Sequence, residues 1–215
     1  MIEEFEWVEE KPESNPMEKA SIHMRLNEES EALKIIKQNI YMVQEWKNQY
    51  GNSIGNIAAW NGCVEVLECL YQNGFEFDIN TVSVIGARHL KVIKFLNGYG
   101  IFNANAQAEH GTTPLQQACN IADAIGYKFD EDLVSESLKR IRYLIALGVD
   151  VNQRNSDGRT AVMGAAYIGA YPLVELLIEY GADCSGNIRC NRNKSTIDYA
   201  FGEYTENIIR QSLIS

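Results

Sequence analysis

The residues of this chain best suited to chemistry are its thiols, its imidazoles and one run of carboxylates. Five cysteines stand at Cys63, Cys69, Cys119, Cys184 and Cys190, and three histidines at His23, His89 and His110. A thiol nucleophile needs a base within reach, and Cys119 with His110 is the pair that the sequence offers. Cys184 and Cys190 would hold a metal only with two further ligands, and no metal-binding spacing supplies them. Asp130, Glu131 and Asp132 lie in a row, yet the D-x-D-x-D-G continuation of a calcium loop is absent. The chain contains no GxSxG, HExxH or GxxxxGKS/T, and no GxGxxG ahead of a helix. These residues are therefore read as structural. The cysteines are reduced thiols, three of them in helical apolar patterns, and the carboxylates form a solvated loop. No catalytic, metal or cofactor site is expected, and an enzyme with an unrecognised Cys/His site is the remote alternative.

Charge narrows the partners. The 215 residues are 46% apolar and 22% charged, enough for a core without disulfides or metals. Net charge is −10 and the isoelectric point about 4.8, which argues against nucleic acid and anionic membrane as main partners and favours a basic protein. Residues 1–16 hold six Glu and one Lys, so half of the net charge lies in an acidic leader. That leader lacks the basic start and apolar run of a signal peptide. No apolar stretch has the length of a membrane span. An odd cysteine count without CxxC fits a reducing compartment, and the expectation is a soluble, cytoplasmic chain.

The elements that would position any site come from self-similarity. DGRTAVMGAAYIGAYPLVELLIEYGAD, from Asp157 to Asp183, aligns with GNSIGNIAAWNGCVEVLECLYQNGFEFD from Gly51. GTTPLQQAC from Gly111 rejoins the pattern at LKRIRYLIALGVDVN from Leu138. Each copy reads as turn, short helix, tight turn, longer amphipathic helix, glycine. Asp157-Gly158 is a turn pair. Thr113 and Thr160 stand where an N-cap is wanted, and Pro114 at a first helical turn. Ala58-Ala59 and Ala165-Ala166 are small where helix pairs must approach. Val64, Leu67 and Leu70, like Leu173, Leu176 and Leu177, give the three-to-four spacing of a buried stripe.

Thr113-Pro114-Leu115-Gln116-Gln117-Ala118 and Gly181-Ala182-Asp183, on a 33-residue period, resemble the ankyrin repeat family. The resemblance covers nearly all of residues 20–213 and implies an all-α solenoid of stacked helix-turn-helix units with short β-hairpin fingers. Its expected organisation is a flexible leader at 1–16 and a single domain at 17–215. Within that domain stand an N-terminal cap pair at 17–47, a repeat at 48–78, a degenerate repeat at 79–105, a repeat at 106–153, a repeat at 154–187 and a C-terminal cap at 188–215. From Gly74 to Gly100 is 26 residues, so the degenerate repeat lacks about seven, attributed to its finger, and Arg88 replaces its turn glycine. The repeat at 106–153 carries an insertion at 122–135, expected to extend both helices around a loop at 127–132.

The resemblance implies a binder rather than an enzyme, with contacts at finger positions beside the turn glycine and just after the Ala pair. Those positions are Gln49, Tyr50, Asn52, Trp60 and Asn61, then Glu109, His110, Thr112, Asn120 and Ile121, then Ser156, Asp157, Arg159, Tyr167 and Ile168. Trp60 and Tyr167 are the aromatic anchors, with packing as their competing role. Tyr127, Phe129, Asp130, Glu131 and Asp132 add an aromatic-acidic loop. A small acidic ankyrin protein resembles the immunity proteins that bacteria keep beside toxic effectors. The expected function is therefore protein binding that neutralises a basic partner, with an adaptor or effector scaffold as the alternative and a monomer when free.

Overall fold

A computed structural model describes residues 15–120 and 131–214. Two compact units make up the chain, Met1–Glu76 and Phe77–Ser215. Eleven α-helices and short 3₁₀ turns account for the regular structure of the described residues, and only an isolated bridge, Lys47 with Ser53, is strand-like. The fold is all-α, as the repeat pattern implies.

The first unit holds four helices: α1 (Pro16–Arg25), α2 (Glu29–Gln38), α3 (Ile54–Asn61) and α4 (Val64–Gln72). Pro16, which composition assigns to the leader, is the first residue of α1. Asn15 caps that helix by accepting from the Met17 N–H at 2.8 Å. Within the unit α1 packs on α2 and α3, and α4 on α2 and α3, so first and second helices form two rows. The free N–H groups of Glu65 and Val66 at the start of α4 donate to one carboxylate oxygen of Glu29, at 2.8 and 3.3 Å. A carboxylate there also meets the positive end of the helix dipole.

The second unit repeats the plan. Its helices are α5 (Ile79–Gly86), α6 (Leu90–Gly98), α7 (Pro114–Cys119), α8 (Glu131–Ala146), α9 (Ala161–Tyr167), α10 (Tyr171–Glu179) and α11 (Glu203–Ser212). First helices α5, α7 and α9 form one row, and second helices α6, α8, α10 and α11 the other. The core runs between the rows. Ala118, Ala165 and Ala166 lie at the close approach, and Leu173, Val174, Leu176 and Leu177 supply the stripe of α10. Each such aliphatic burial contributes about 1.5–3 kcal/mol.

Thr113 caps α7 through a reciprocal box. Its hydroxyl accepts from the Gln116 N–H at 3.2 Å, while the Thr113 N–H donates to the Gln116 side chain at 3.0 Å. Thr160 stands at the same position of α9 but makes no such bond; Met163 three residues on offers no side chain for the reciprocal half of a box, and the Thr160 hydroxyl is buried without a partner. Among the described residues the insertion lengthens one helix. α7 ends at Cys119, whereas α8 has 16 residues against nine for α10. The added turns all lie at the N-terminal end of α8, so Asp132 is helical rather than in a loop.

Candidate interaction surface

The fingers are built from one repeated turn. In the second unit the N–H of Ala108, Asn155 and Cys190 donates to the carbonyl of the residue four further on, Thr112, Arg159 and Lys194, at 2.9–3.0 Å. The first unit makes the same turn from Asn48 to Asn52 at 3.0 Å. Its fourth position must take positive φ, and Gly51, Gly111 and Gly158 do so at 79°, 68° and 74°. At 190–194 that place belongs to Asn193 at 58°, one of the few side chains that tolerate it. The finger at 190–194 is missing from the sequence reading. The strings Asn155–Arg159 and Cys190–Lys194 would have revealed it, once Asn193 was allowed to stand for glycine.

Successive fingers are stitched together. Ser156 N–H donates to the His110 carbonyl at 3.0 Å, and Asn191 N–H to the Asp157 carbonyl at 2.8 Å. Below the tips runs a ladder of asparagines. Asn105 accepts from the Asp150 N–H at 2.7 Å, and Asn152 accepts from the Asp183 N–H at 2.8 Å while donating to the Gly181 carbonyl at 2.9 Å. The two rungs reach 45 and 31 residues along the chain; the extra 14 is the insertion. The Gln116 side chain donates to the Arg159 carbonyl at 2.6 Å and ties the start of α7 to the next finger. None of these bonds uses the side chains of Glu109, His110 or Asp157, all exposed at the tips.

Tyr167, at the end of α9, is 66% exposed and meets Tyr199 edge-on, with ring centroids 6.3 Å apart. Tyr199 is buried, and its hydroxyl lies 3.2 Å from the Cys190 sulfur. The Arg159 guanidinium lies over the Tyr199 ring at 5.3 Å and the Lys194 ammonium at 5.6 Å. Arg159, Tyr167 and Asp157 thus belong to one surface, with Ile168 half-buried behind it. Asn120 lies elsewhere in the same unit, where with Arg88, Lys91, Lys94 and Arg140 it lines a cavity of about 560 Å³. In the first unit Tyr50 is exposed on its finger, and the Asn52 N–H donates to Asn48 at 2.9 Å. Trp60 is about half exposed. Asn61 turns inward on its own helix and donates to the Ile57 carbonyl at 2.8 Å, a capping role. Ile121, Tyr127, Phe129 and Asp130 lie outside the described residues, as does the side chain of Glu131, and Asp132 is exposed on α8.

Reactivity at the cysteines follows from burial. Cys119 is buried in the core of the second unit, and desolvation pushes its thiol up to about 12. A thiol so rarely ionised is a poor nucleophile at neutral pH, while His110 stands exposed at a finger tip. The remaining cysteines are buried free thiols.

Paired helices in two rows, joined by hydrogen-bonded fingers, define a repeat protein whose surface chemistry is separable from its frame. Residues 133–178, from α8 through the finger at 155–159 to α10, match the family model described as ankyrin repeats (many copies). Such repeats are generally a non-enzymatic scaffold for binding other proteins. No helix among the described residues is long and apolar enough to cross a membrane.

Proposed function

We propose that this chain is a non-enzymatic module that binds a partner protein through its finger tips and the ends of its first helices, and neutralises that partner. The observation that carries the reading is the division of labour in the fingers. Backbone bonds and the asparagine ladder hold the frame, leaving the side chains of Glu109, His110 and Asp157 outside those bonds and the ring of Tyr167 largely exposed. An exposed aromatic beside a rigid polar rim is the composition of an interface anchor. A basic partner and a reducing, cytoplasmic setting are supported by the net charge of −10, by the acidic leader and insertion, and by five free thiols. Negative charge would speed encounter with such a partner.

Affinity capture with the purified full chain, repeated with Tyr167→Ala and Trp60→Ala, tests this. Near-stoichiometric recovery of one protein, weakened about tenfold or more by Tyr167→Ala at unchanged melting temperature, is the expected result. Capture indifferent to both substitutions overturns the assignment of this face. Neutralisation further requires that the captured protein lose its own activity on binding, whereas an adaptor would hold two proteins at once.

A further inference from the structure

The last two fingers of the second unit are opposite in sign to the chain's net charge of −10. Arg154 and Arg159 belong to one finger and Arg189, Arg192 and Lys194 to the next, against Asp157 and Asp198. Arg189 is engaged, 3.9 Å from Asp198 and donating to the Asn193 carbonyl. Arg154 is held by the carbonyls of Gly158 and Arg189. Arg159, Arg192 and Lys194 pair with no carboxylate among the described residues. Arg159 and Lys194 moreover share one aromatic ring, and the Arg159 Nε is buried without an acceptor. Two cations within 6 Å of one ring and without a carboxylate partner leave positive charge that a partner's carboxylate would satisfy.

We propose that this surface, formed by Arg159, Arg192 and Lys194 beside the exposed ring of Tyr167, docks an acidic stretch of the partner protein. The inference rests on the reading of the chain as a protein-binding module and names the chemistry of one contact. An acidic peptide segment fits better than nucleic acid. A duplex carries a phosphate charge about every 1.7 Å and would meet the field of the whole chain at −10, whereas two or three side-chain carboxylates meet the patch alone. Tyr167 adds an apolar ring for the residue beside them.

The test uses the full chain and short fluorescein-labelled peptides in which Tyr alternates with Glu, with Gln or with Lys, followed by fluorescence anisotropy at low and high salt. The Glu peptide should bind about tenfold tighter than the Gln peptide, the Lys peptide not at all, and added salt should weaken binding. The double variant Arg192→Gln/Lys194→Gln changes two exposed side chains and should remove the preference without altering the melting temperature. Arg159→Gln should act alike, while Lys37→Gln on α2 should change nothing. Equal binding of Glu and Gln peptides overturns the proposal, as does a preference that survives the double variant. Equal binding of a single-stranded oligonucleotide would show general anion attraction and overturn it too. Sedimentation showing salt-sensitive self-association would identify a second copy's acidic leader as the occupant, with the same consequence. A captured partner whose binding depends on Tyr167 but not on these cations leaves the module reading standing and sinks only this inference.

Discussion

The repeat at 79–105 and the fingered repeats share a helix pair but almost nothing that could bind. Aligned on the starts of their second helices, Val64, Leu90 and Tyr171, the first-helix position held by Trp60 and Tyr167 is occupied by Gly86 in the fingerless repeat. Val84 and Ile85 stand where Ala58 and Ala59, or Ala165 and Ala166, stand elsewhere. Asp78 caps α5 directly, accepting from the Thr81 N–H, only four residues beyond Gly74. Gly86 instead lets the two helices touch: a Cβ there would lie 2.6 Å from Val92 Cγ1 and 3.2 Å from Leu96. Helix pairs are thus what the stack requires, and fingers with an aromatic at the helix end are additions. The binding reading depends on that difference.

The largest expected effect breaks the fingered side. Gly111 holds φ at +68°, and a Cβ there would meet the Ser156 backbone nitrogen at 2.6 Å, on the bond that joins two fingers. Gly111→Ala combines left-handed strain with a collision against backbone and should cost about 3 kcal/mol. Gly51→Ala, with similar φ and nothing within 4 Å, should cost about 1 kcal/mol. Urea denaturation of both reads the difference. Equal losses would mean that the stitch between fingers carries no stability.

Next comes the fingerless side. Gly86→Ala forces Val92 and Leu96 apart and should destabilise by about 2 kcal/mol despite the better helix propensity of alanine. Gly164 in α9 is exposed, with nothing within 4 Å of its missing Cβ, so Gly164→Ala should stabilise by up to about 1 kcal/mol. Opposite signs in thermal melts would confirm that one glycine serves packing and the other does not. Native thiol labelling sharpens the chemical half of the comparison. With its thiol pushed up to about 12 by burial, Cys119 should resist iodoacetamide at pH 8 until the chain is unfolded. Rapid native alkylation there would reopen the Cys/His reading.

The helices were legible from the sequence because the three-to-four apolar spacing that marks Leu173, Leu176 and Leu177 is also what buries them. The shortened repeat was legible because glycine spacing counts residues directly. The insertion was legible in length but not in effect: spacing cannot say which helix takes added turns, and α8 took them. The basic end of the second unit was obscured for a different reason. Whole-chain charge averages over surfaces, and the sign at Arg159, Arg192 and Lys194 emerges only when two fingers 35 residues apart are brought side by side. The asparagine ladder was likewise silent, since Asn105 and Asn152 find their partners 45 and 31 residues away.

The smallest expected effect separates two threonines that the sequence treats alike. Thr113 and Thr160 both precede a first helix and both are buried, so a cap at each is the natural expectation. Of the two, Thr113 alone makes the bond, and Gln116 completes the box and also reaches the Arg159 carbonyl of the next finger. Thr113→Val should therefore cost about 1–2 kcal/mol, by freeing the Gln116 N–H and loosening the tie to that finger. Thr160 has a buried hydroxyl with no partner, a group whose desolvation is uncompensated. Thr160→Val should be neutral within about 0.5 kcal/mol, or stabilising, since it removes that penalty at nearly the same shape. Parallel chemical denaturation decides the matter. A loss at Thr160→Val matching that at Thr113→Val would mean that the hydroxyl, not the Gln116 box, sets the value of the position.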